Sequence, residues 1–378
     1  MHEPVRSLAM SAFFDHAATS PMRPEALEAY VRHADLVGNP SALHREGQRA
    51  RRALEDAREA LADVVGCLPA EIIWTSGGSE ADSIAVLGGW RASGRPRALV
   101  SAVEHDAVLG ARGHGAELLP VGRDGAVDVE AAESLVDDRV GLVSVMLVNN
   151  ETGLRQPVEA MRRCTLRHGV WLHTDAVQAL GHVPVRFDEL GVDMMTLSAH
   201  KLGGPVGIGA LVARRDVQPT PIGLGGGQER RVRSGTAPVA LAAAFAAAAR
   251  AAVGELEETN ARLRMYGGRI RQTLRSLGAT VNAPEDRCAP HIVNATFPGI
   301  RAADLLLLLD QRGIQASVGS ACRAGVHQPS QVLLAMGRSE DEAASTLRFS
   351  MGWNTSDTDV DRLCDELGRA LRLAELAF

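Results

Sequence analysis

Residues 193–204 read D-M-M-T-L-S-A-H-K-L-G-G, and this stretch decides the fold. An apolar, β-prone run ends in Ser198, Ala199, His200 and Lys201, and a glycine pair then precedes Pro205. A strand that stops at small and polar residues before a Gly-Gly-Pro break leaves its last side chains on a loop. In open α/β sheets that end of a strand is where ligands bind. Lys201 is thereby placed where an amine can do chemistry. A lone lysine there is as a rule a surface residue, so its neighbours must carry the case.

Working outward, the same grammar recurs. Glu71–Thr75, Ala98–Ser101, Glu117–Pro120, Val140–Val148, Val170–His173 and Gly207–Val212 read as strands, which with Met194–Ser198 makes seven. Their apolar runs suit a sheet buried on both faces, separated as they are by helical or loop stretches. Polar residues cluster at or just after several C-terminal ends: Glu104 and His105; Asn149, Asn150 and Glu151; Asp175 and Gln178; His200 and Lys201. Four such sets at one sheet edge are the pattern of an active site built by loops. After Thr75, the run Ser76–Glu80 leads into a helix, a layout that aims free N–H groups at an anion, with Ser79 expected as N-cap and hydroxyl donor. It lacks both the GxGxxG fingerprint and the Gly-Lys pair of a P-loop.

Beyond Val212 a glycine-rich polar loop, residues 223–236, leads to Pro238 and a long alanine-rich helix at 239–258. A second helix at 261–277, a strand at 291–297, a leucine-rich helix at 302–312 and a strand near Arg348 predict a smaller α+β unit. The fold expected is α/β: a large domain over residues 15–250 with a mainly parallel seven-stranded sheet covered by helices. A smaller α+β C-terminal domain is expected to comprise residues 1–14 and 251–378.

The 378 residues carry a formal net charge of -6 with acids and bases interspersed, which excludes a global basic field for nucleic acid. Arg45, Arg49, Arg51, Arg52 and Arg58 share one predicted helix and read as a solvated face partnered by Glu46, Glu55 and Asp56. The five cysteines are dispersed, with no C-x-x-C pair, which points away from zinc or a disulfide framework and toward a reducing compartment. The N-terminus reads as no secretory signal, and no apolar stretch reaches membrane-spanning length. A cytoplasmic protein without membrane contact is expected.

Asp175 and Lys201 stand about one αβ unit apart, at the ends of successive strands. A pyridoxal phosphate site needs this pair: an amine to form a Schiff base and a carboxylate to hold the pyridinium nitrogen. Ser79, Ser198 and His200 offer donors for the phosphate, and His105 a ring to stack and shuttle protons.

The motifs D-H-A-A-T, T-S-G-G-S-E, E-H-D-A-V, V-N-N-E-T-G, H-T-D-A-V-Q-A-L-G, S-A-H-K-L-G-G-P-V-G-I-G-A-L, R-S-G-T-A-P and G-S-A-C occur in that order. Together they resemble the NifS/IscS-type cysteine desulfurases of the class V, fold-type I aminotransferases, over nearly the whole chain. The resemblance implies that Lys201 carries pyridoxal 5'-phosphate, Asp175 pairs with its ring nitrogen, Gln178 bonds its hydroxyl and His105 stacks on it. Gly78, Ser79, Ser198 and His200 would hold the phosphate, joined by Thr236 from the other subunit of a homodimer. Asn150 and Arg348 match the residues that grip the substrate carboxylate, a task suited to a planar guanidinium.

Cys322, in a run of small residues at about 317–330 assigned to the smaller domain, matches the nucleophile that becomes a persulfide. Cys67, Cys164, Cys288 and Cys364 have no motif and read as packed side chains. The resemblance thus implies conversion of L-cysteine to L-alanine, with sulfur passed to an acceptor protein for iron–sulfur assembly, tRNA thiolation or DNA phosphorothioation. The sequence departs from the family pattern in Ser79 for threonine, in Arg323 after the nucleophile, and in a short C-terminus that leaves the acceptor open. Two other readings stand beside it: a selenocysteine or C–S lyase that releases sulfide, and a non-catalytic relative acting as a binding partner.

Overall fold

The computed structural model describes residues 11–319 and 329–377. In chain order the strands are β1 (Ala12–Phe13), β2 (Ile72–Thr75), β3 (Arg97–Ser101), β4 (Glu117–Leu119), β5 (Val140–Ser144) and β6 (Trp171–Asp175). Next come β7 (Met194–Ser198), β8 (Gly209–Ala213), β9 (Thr280–Val281), β10 (Ile292–Thr296), β11 (Ile314–Gln315) and β12 (Thr346–Ser350).

Seven of them form one sheet in the order β2-β8-β7-β6-β5-β3-β4. β4, β3, β5, β6 and β7 run parallel, while β8 is antiparallel to both β7 and β2. The sheet is thus mainly parallel, as the apolar runs predict, and its seven strands are the seven read from the sequence. β5 ends at Ser144, four residues early. Beyond it the amides of Val145 and Leu147 still donate to the His173 and Asp175 carbonyls, while between them the Met146 amide donates to the Glu104 side chain instead of to β3.

Every residue of β2, β5, β7 and β8 is buried. Their side chains alternate between two layers, as the twofold period of a strand requires. Ile72 and Trp74 join the cluster that holds Leu61 and Phe245, and Ile73 joins the opposite one with Ile84 and Leu211. Gly209 sits where a Cβ would come within 2.6 Å of the Gly77 backbone, so this strand start admits no side chain.

The helix Arg45–Val65 turns Leu54, Ala57, Leu61 and Val65 to the core at helical spacing and ends at Gly66 in the left-handed conformation (φ 68°). Arg58 corrects the reading of its arginines as a solvated face. It is buried, and Nη2 meets Glu229 Oε1 at 2.9 Å. Its Nη1 donates to the Ile72 carbonyl at 2.7 Å, while Glu229 Oε2 accepts from the Trp74 amide at 2.9 Å. β2 is an edge strand, and this ion pair occupies its outward-facing backbone groups. Arg49 pairs with Glu46 on the exposed side, as expected.

The alanine-rich helix Val239–Gly254 packs on this layer and bends by 68° into Leu256–Ser276. Among the described residues no single helix is long and apolar enough to cross a membrane. A second sheet, β12-β10-β9, is antiparallel, and β1 pairs with β11. Phe14, Leu263, Phe297, Phe349 and Leu367 form the cluster beneath them. β9 and β11 went unread because two residues carry no detectable period. β12 presents Arg348, and the segment after β1 crosses to the large sheet, where the Ser20 amide bonds the His200 carbonyl at 2.8 Å.

Candidate active site

The C-terminal ends of the parallel strands open on a cavity of about 740 Å³, within the range that holds small-molecule ligands. β3 delivers Glu104 and His105 to it, and the loop after β5 delivers Asn150 and Glu151. β6 contributes Asp175 and, a turn later, Gln178; β7 contributes Ser198, His200 and Lys201. Gly78 and Ser79 form its wall beyond β2, and Arg348 reaches in from β12. The four polar sets named from the sequence therefore meet. The exception is Asn149, which is buried and caps the 149–152 turn through Oδ1.

Lys201 is the only lysine in the sequence; every other member of its 40 lysines and arginines is an arginine. A guanidinium stays protonated, so one amine among so many arginines marks the position where an amine is required. Lys201 Nζ donates to the Ala17 carbonyl at 2.9 Å and to that of Ala18 at 2.7 Å. Burial, with the nearby Arg348 charge, lowers its pKa to about 8, against the pull of Asp175 and Asp15.

Asp175 is buried and accepts from the Val177 amide at 2.8 Å. Burial raises its pKa, against the opposing effects of that bond, His105 and Lys201. Two further carboxylates share this floor. Glu104 accepts from Ser101 Oγ (2.6 Å) and the Met146 amide (2.7 Å), and burial pushes it up to about 8. Asp82 is raised well above the usual carboxylate range by burial and by Asp175. Asp82 was not singled out in the sequence, although it follows Ser79 by three residues on the same helix face, a spacing that could have found it.

The helix there begins at Gly78 with Gly77 as its cap, and no side chain caps it. Ser79 is therefore not the N-cap expected; it stands in the first turn and lines the cavity. A Cβ at Gly78 would lie 2.9 Å from Val177 Cγ2, so the backbone is exposed because no side chain fits. Ser198 Oγ and Asn150 Oδ1 are buried without a partner among the described residues.

His105 Nδ1 accepts from the Ala107 amide at 3.1 Å, capping the next short helix, and Nε2 has no hydrogen-bond partner among the described residues. His200 Nδ1 meets Thr19 Oγ1 at 3.1 Å, and burial lowers its pKa to about 4. Gln178 Nε2 donates to the Ala17 carbonyl at 2.8 Å, so Gln178 and Lys201 hang from the same carbonyl oxygen. Behind them His182 and His291 stack at 3.7 Å, both kept neutral by burial.

Two expected residues are not in this set. Thr236 lines a separate cavity with Arg51, Arg58 and Gln228. Cys322 lies outside the described residues, but Gly319 and Pro329 on either side of that segment line the main cavity. Burial raises the thiol pKa of Cys67 to about 12 and of Cys288 to about 11, and raises that of Cys164 as well. These three are packed thiols, as read.

Residues 12–363 match the model of the aminotransferase class-V family. The chain belongs to that family. It is 42% identical to an IscS-like cysteine desulfurase of Mycobacterium tuberculosis, over 97% of this chain and 98% of that protein. Among solved structures, a NifS-like protein superposes with a TM-score of 0.90 at 32% identity, covering 96% of this chain and all of its own. SspA in complex with cysteine gives 0.79 at 31% identity, covering 90% of this chain and 99% of its own. Class-V membership agrees with what the site holds: one amine and one buried carboxylate at neighbouring strand ends, facing a backbone cradle for an anion.

Proposed function

We propose that the protein is a pyridoxal phosphate-dependent cysteine desulfurase that converts L-cysteine to L-alanine and passes the sulfur through Cys322 to an acceptor protein. The observation that carries this reading is the cavity itself. Asp175, ending β6, and Lys201, just beyond the end of the neighbouring β7, share it with Gly319 and Pro329, which flank the Cys322 segment.

The residues fit the cofactor. Backbone N–H groups at Gly78 and Ser79, with Ser198 Oγ and His200, suit its phosphate. Asp175 suits the ring nitrogen, Gln178 the ring hydroxyl, His105 the ring face and Lys201 the aldehyde carbon. When bound, the cofactor supplies an electron-accepting ring. Thr236, remote from this cavity within one chain, is assigned to the phosphate of the partner subunit in a homodimer.

The protein's own residues then do the following. Arg348 and Asn150 hold the substrate carboxylate, which orients the Cα–H bond. Lys201 Nζ, neutral above about pH 8, takes that proton and later returns it. Cys322 thiolate attacks the substrate sulfur: the new S–S bond forms on Cys322, and the C–S bonding pair stays with carbon. Protonation of that carbon yields alanine. A thiol of the acceptor then takes the outer sulfur.

One expected result concerns pH. An ordinary lysine titrates near 10.4, and only the neutral amine captures an aldehyde. Because the Lys201 pKa is lowered to about 8, capture of pyridoxal phosphate by cofactor-free protein should quicken with rising pH and level off just above 8. A rate still climbing at pH 10 would contradict the buried, Arg348-facing amine.

The test of the function itself is Cys322→Ala. The variant should keep its cofactor and bind L-cysteine, yet form alanine about a hundredfold more slowly or worse. Undiminished turnover with sulfide released would instead support the lyase.

A further inference from the structure

Arg348 lies in the middle of β12, with its side chain 5% exposed. Two of its nitrogens are already committed. Nη2 donates to Asp15 Oδ1 at 2.7 Å, and Nη1 to the Asn150 carbonyl at 2.8 Å. Nε is buried without a partner among the described residues. A carboxylate arriving from the cavity therefore meets a guanidinium whose end-on fork is occupied and whose charge is already balanced.

We propose that Asp15 is an internal competitor for Arg348: its carboxylate holds the guanidinium as a substrate carboxylate would, and so keeps amino acid binding weak and reversible. The inference deepens the desulfurase reading and rests on it for the identity of the ligand.

Two physical points carry it. Bidentate recognition needs two parallel N–H bonds, and Asp15 and Asn150 hold one from each terminal nitrogen. The exposure is also unequal. Arg348, nearly sealed, would be costly to leave bare, whereas Asp15, with 25% of its side chain exposed, regains water when displaced. Exchange of one carboxylate for another is thus easier than filling an empty arginine site, and the product carboxylate leaves by the reverse exchange. Asp15 opens the D-H-A-A-T segment whose carbonyls hold Lys201 and Gln178, so it is rigidly placed for this role.

The test uses cofactor-loaded protein and L-alanine, which needs no turnover. Asp15→Asn keeps the size and an acceptor oxygen but removes the charge. It should melt below wild type without ligand, recover most of that difference in saturating L-alanine, and bind L-alanine about tenfold more tightly. In an Arg348→Ala background the same substitution should leave L-alanine affinity unchanged. Should Asp15→Asn fold poorly, Asp15→Ser serves for the same titration. Equal or weaker binding by the charge-free variants, or no binding by either variant or wild type, overturns the proposal. A wild type that binds L-alanine but makes none from L-cysteine sinks the desulfurase reading alone, because the affinity comparison still decides the role of Asp15.

Discussion

Lys201→Ala should lower alanine formation from L-cysteine by about a thousandfold or more. It should also abolish covalent capture of the cofactor. Lys201 is the sole lysine of the chain, so no other side-chain amine can substitute. Its Nζ is held by the Ala17 and Ala18 carbonyls beside Arg348 and Asp175, a setting that lowers its pKa to about 8 and supplies neutral amine near physiological pH. Borohydride reduction followed by peptide mapping checks the assignment without turnover. In wild type the cofactor mass should appear on the peptide that contains Lys201, and in the variant on no lysine peptide. Retained alanine formation in the variant would remove Lys201 from the chemistry.

Arg58→Ala should destabilise the fold by about 3–5 kcal/mol, the usual consequence of leaving one member of a buried ion pair alone. Its partner Glu229 has a side chain only 5% exposed, and Arg58 also bonds the Ile72 carbonyl on the free edge of β2. Removal of the guanidinium leaves the buried Glu229 carboxylate with the Trp74 amide but no countercharge, and the Ile72 carbonyl without its side-chain donor. The matched control is Arg51→Ala on the same helix, an exposed residue expected to change stability by less than about 0.5 kcal/mol. Denaturant unfolding of the two variants and wild type checks the difference. A loss below about 1 kcal/mol for Arg58→Ala would mean that the pair is not holding the sheet edge.

The large sheet was legible because its strands are short apolar runs bounded by polar ends, and that pattern follows directly from burial on both faces. Lys201, Asp175, His105 and Gln178 were legible for the same reason, each lying at or just beyond the end of such a run. What escaped depends on distances along the chain that no local pattern encodes. The Arg58–Glu229 pair joins residues far apart in sequence, and neither shows which side of its element will be covered. The Asp15–Arg348 pair likewise closes only when β1 and β12 meet. Ser79 was misread as a cap because the helix starts two residues earlier than that cap implies, at Gly78, where a Cβ would lie 2.9 Å from Val177 Cγ2.

Asp82, Glu104 and Asp175 converge on one floor where Lys201 is a nearby cation of Asp175, and burial raises the pKa of all three. Glu104, pushed up to about 8, holds its proton at neutral pH, and Asp175, the one facing Lys201 and His105, is the best placed to ionise against a cationic ring nitrogen.

The central claim is that this cavity moves sulfur from L-cysteine to Cys322. Its most direct measurement is a single turnover of cofactor-loaded wild type with L-cysteine and no acceptor, with alanine quantified and the Cys322 peptide weighed. The account predicts one alanine for each Cys322 that gains the mass of one sulfur atom, and neither in Lys201→Ala. Alanine formed with Cys322 unchanged and free sulfide in solution would contradict it.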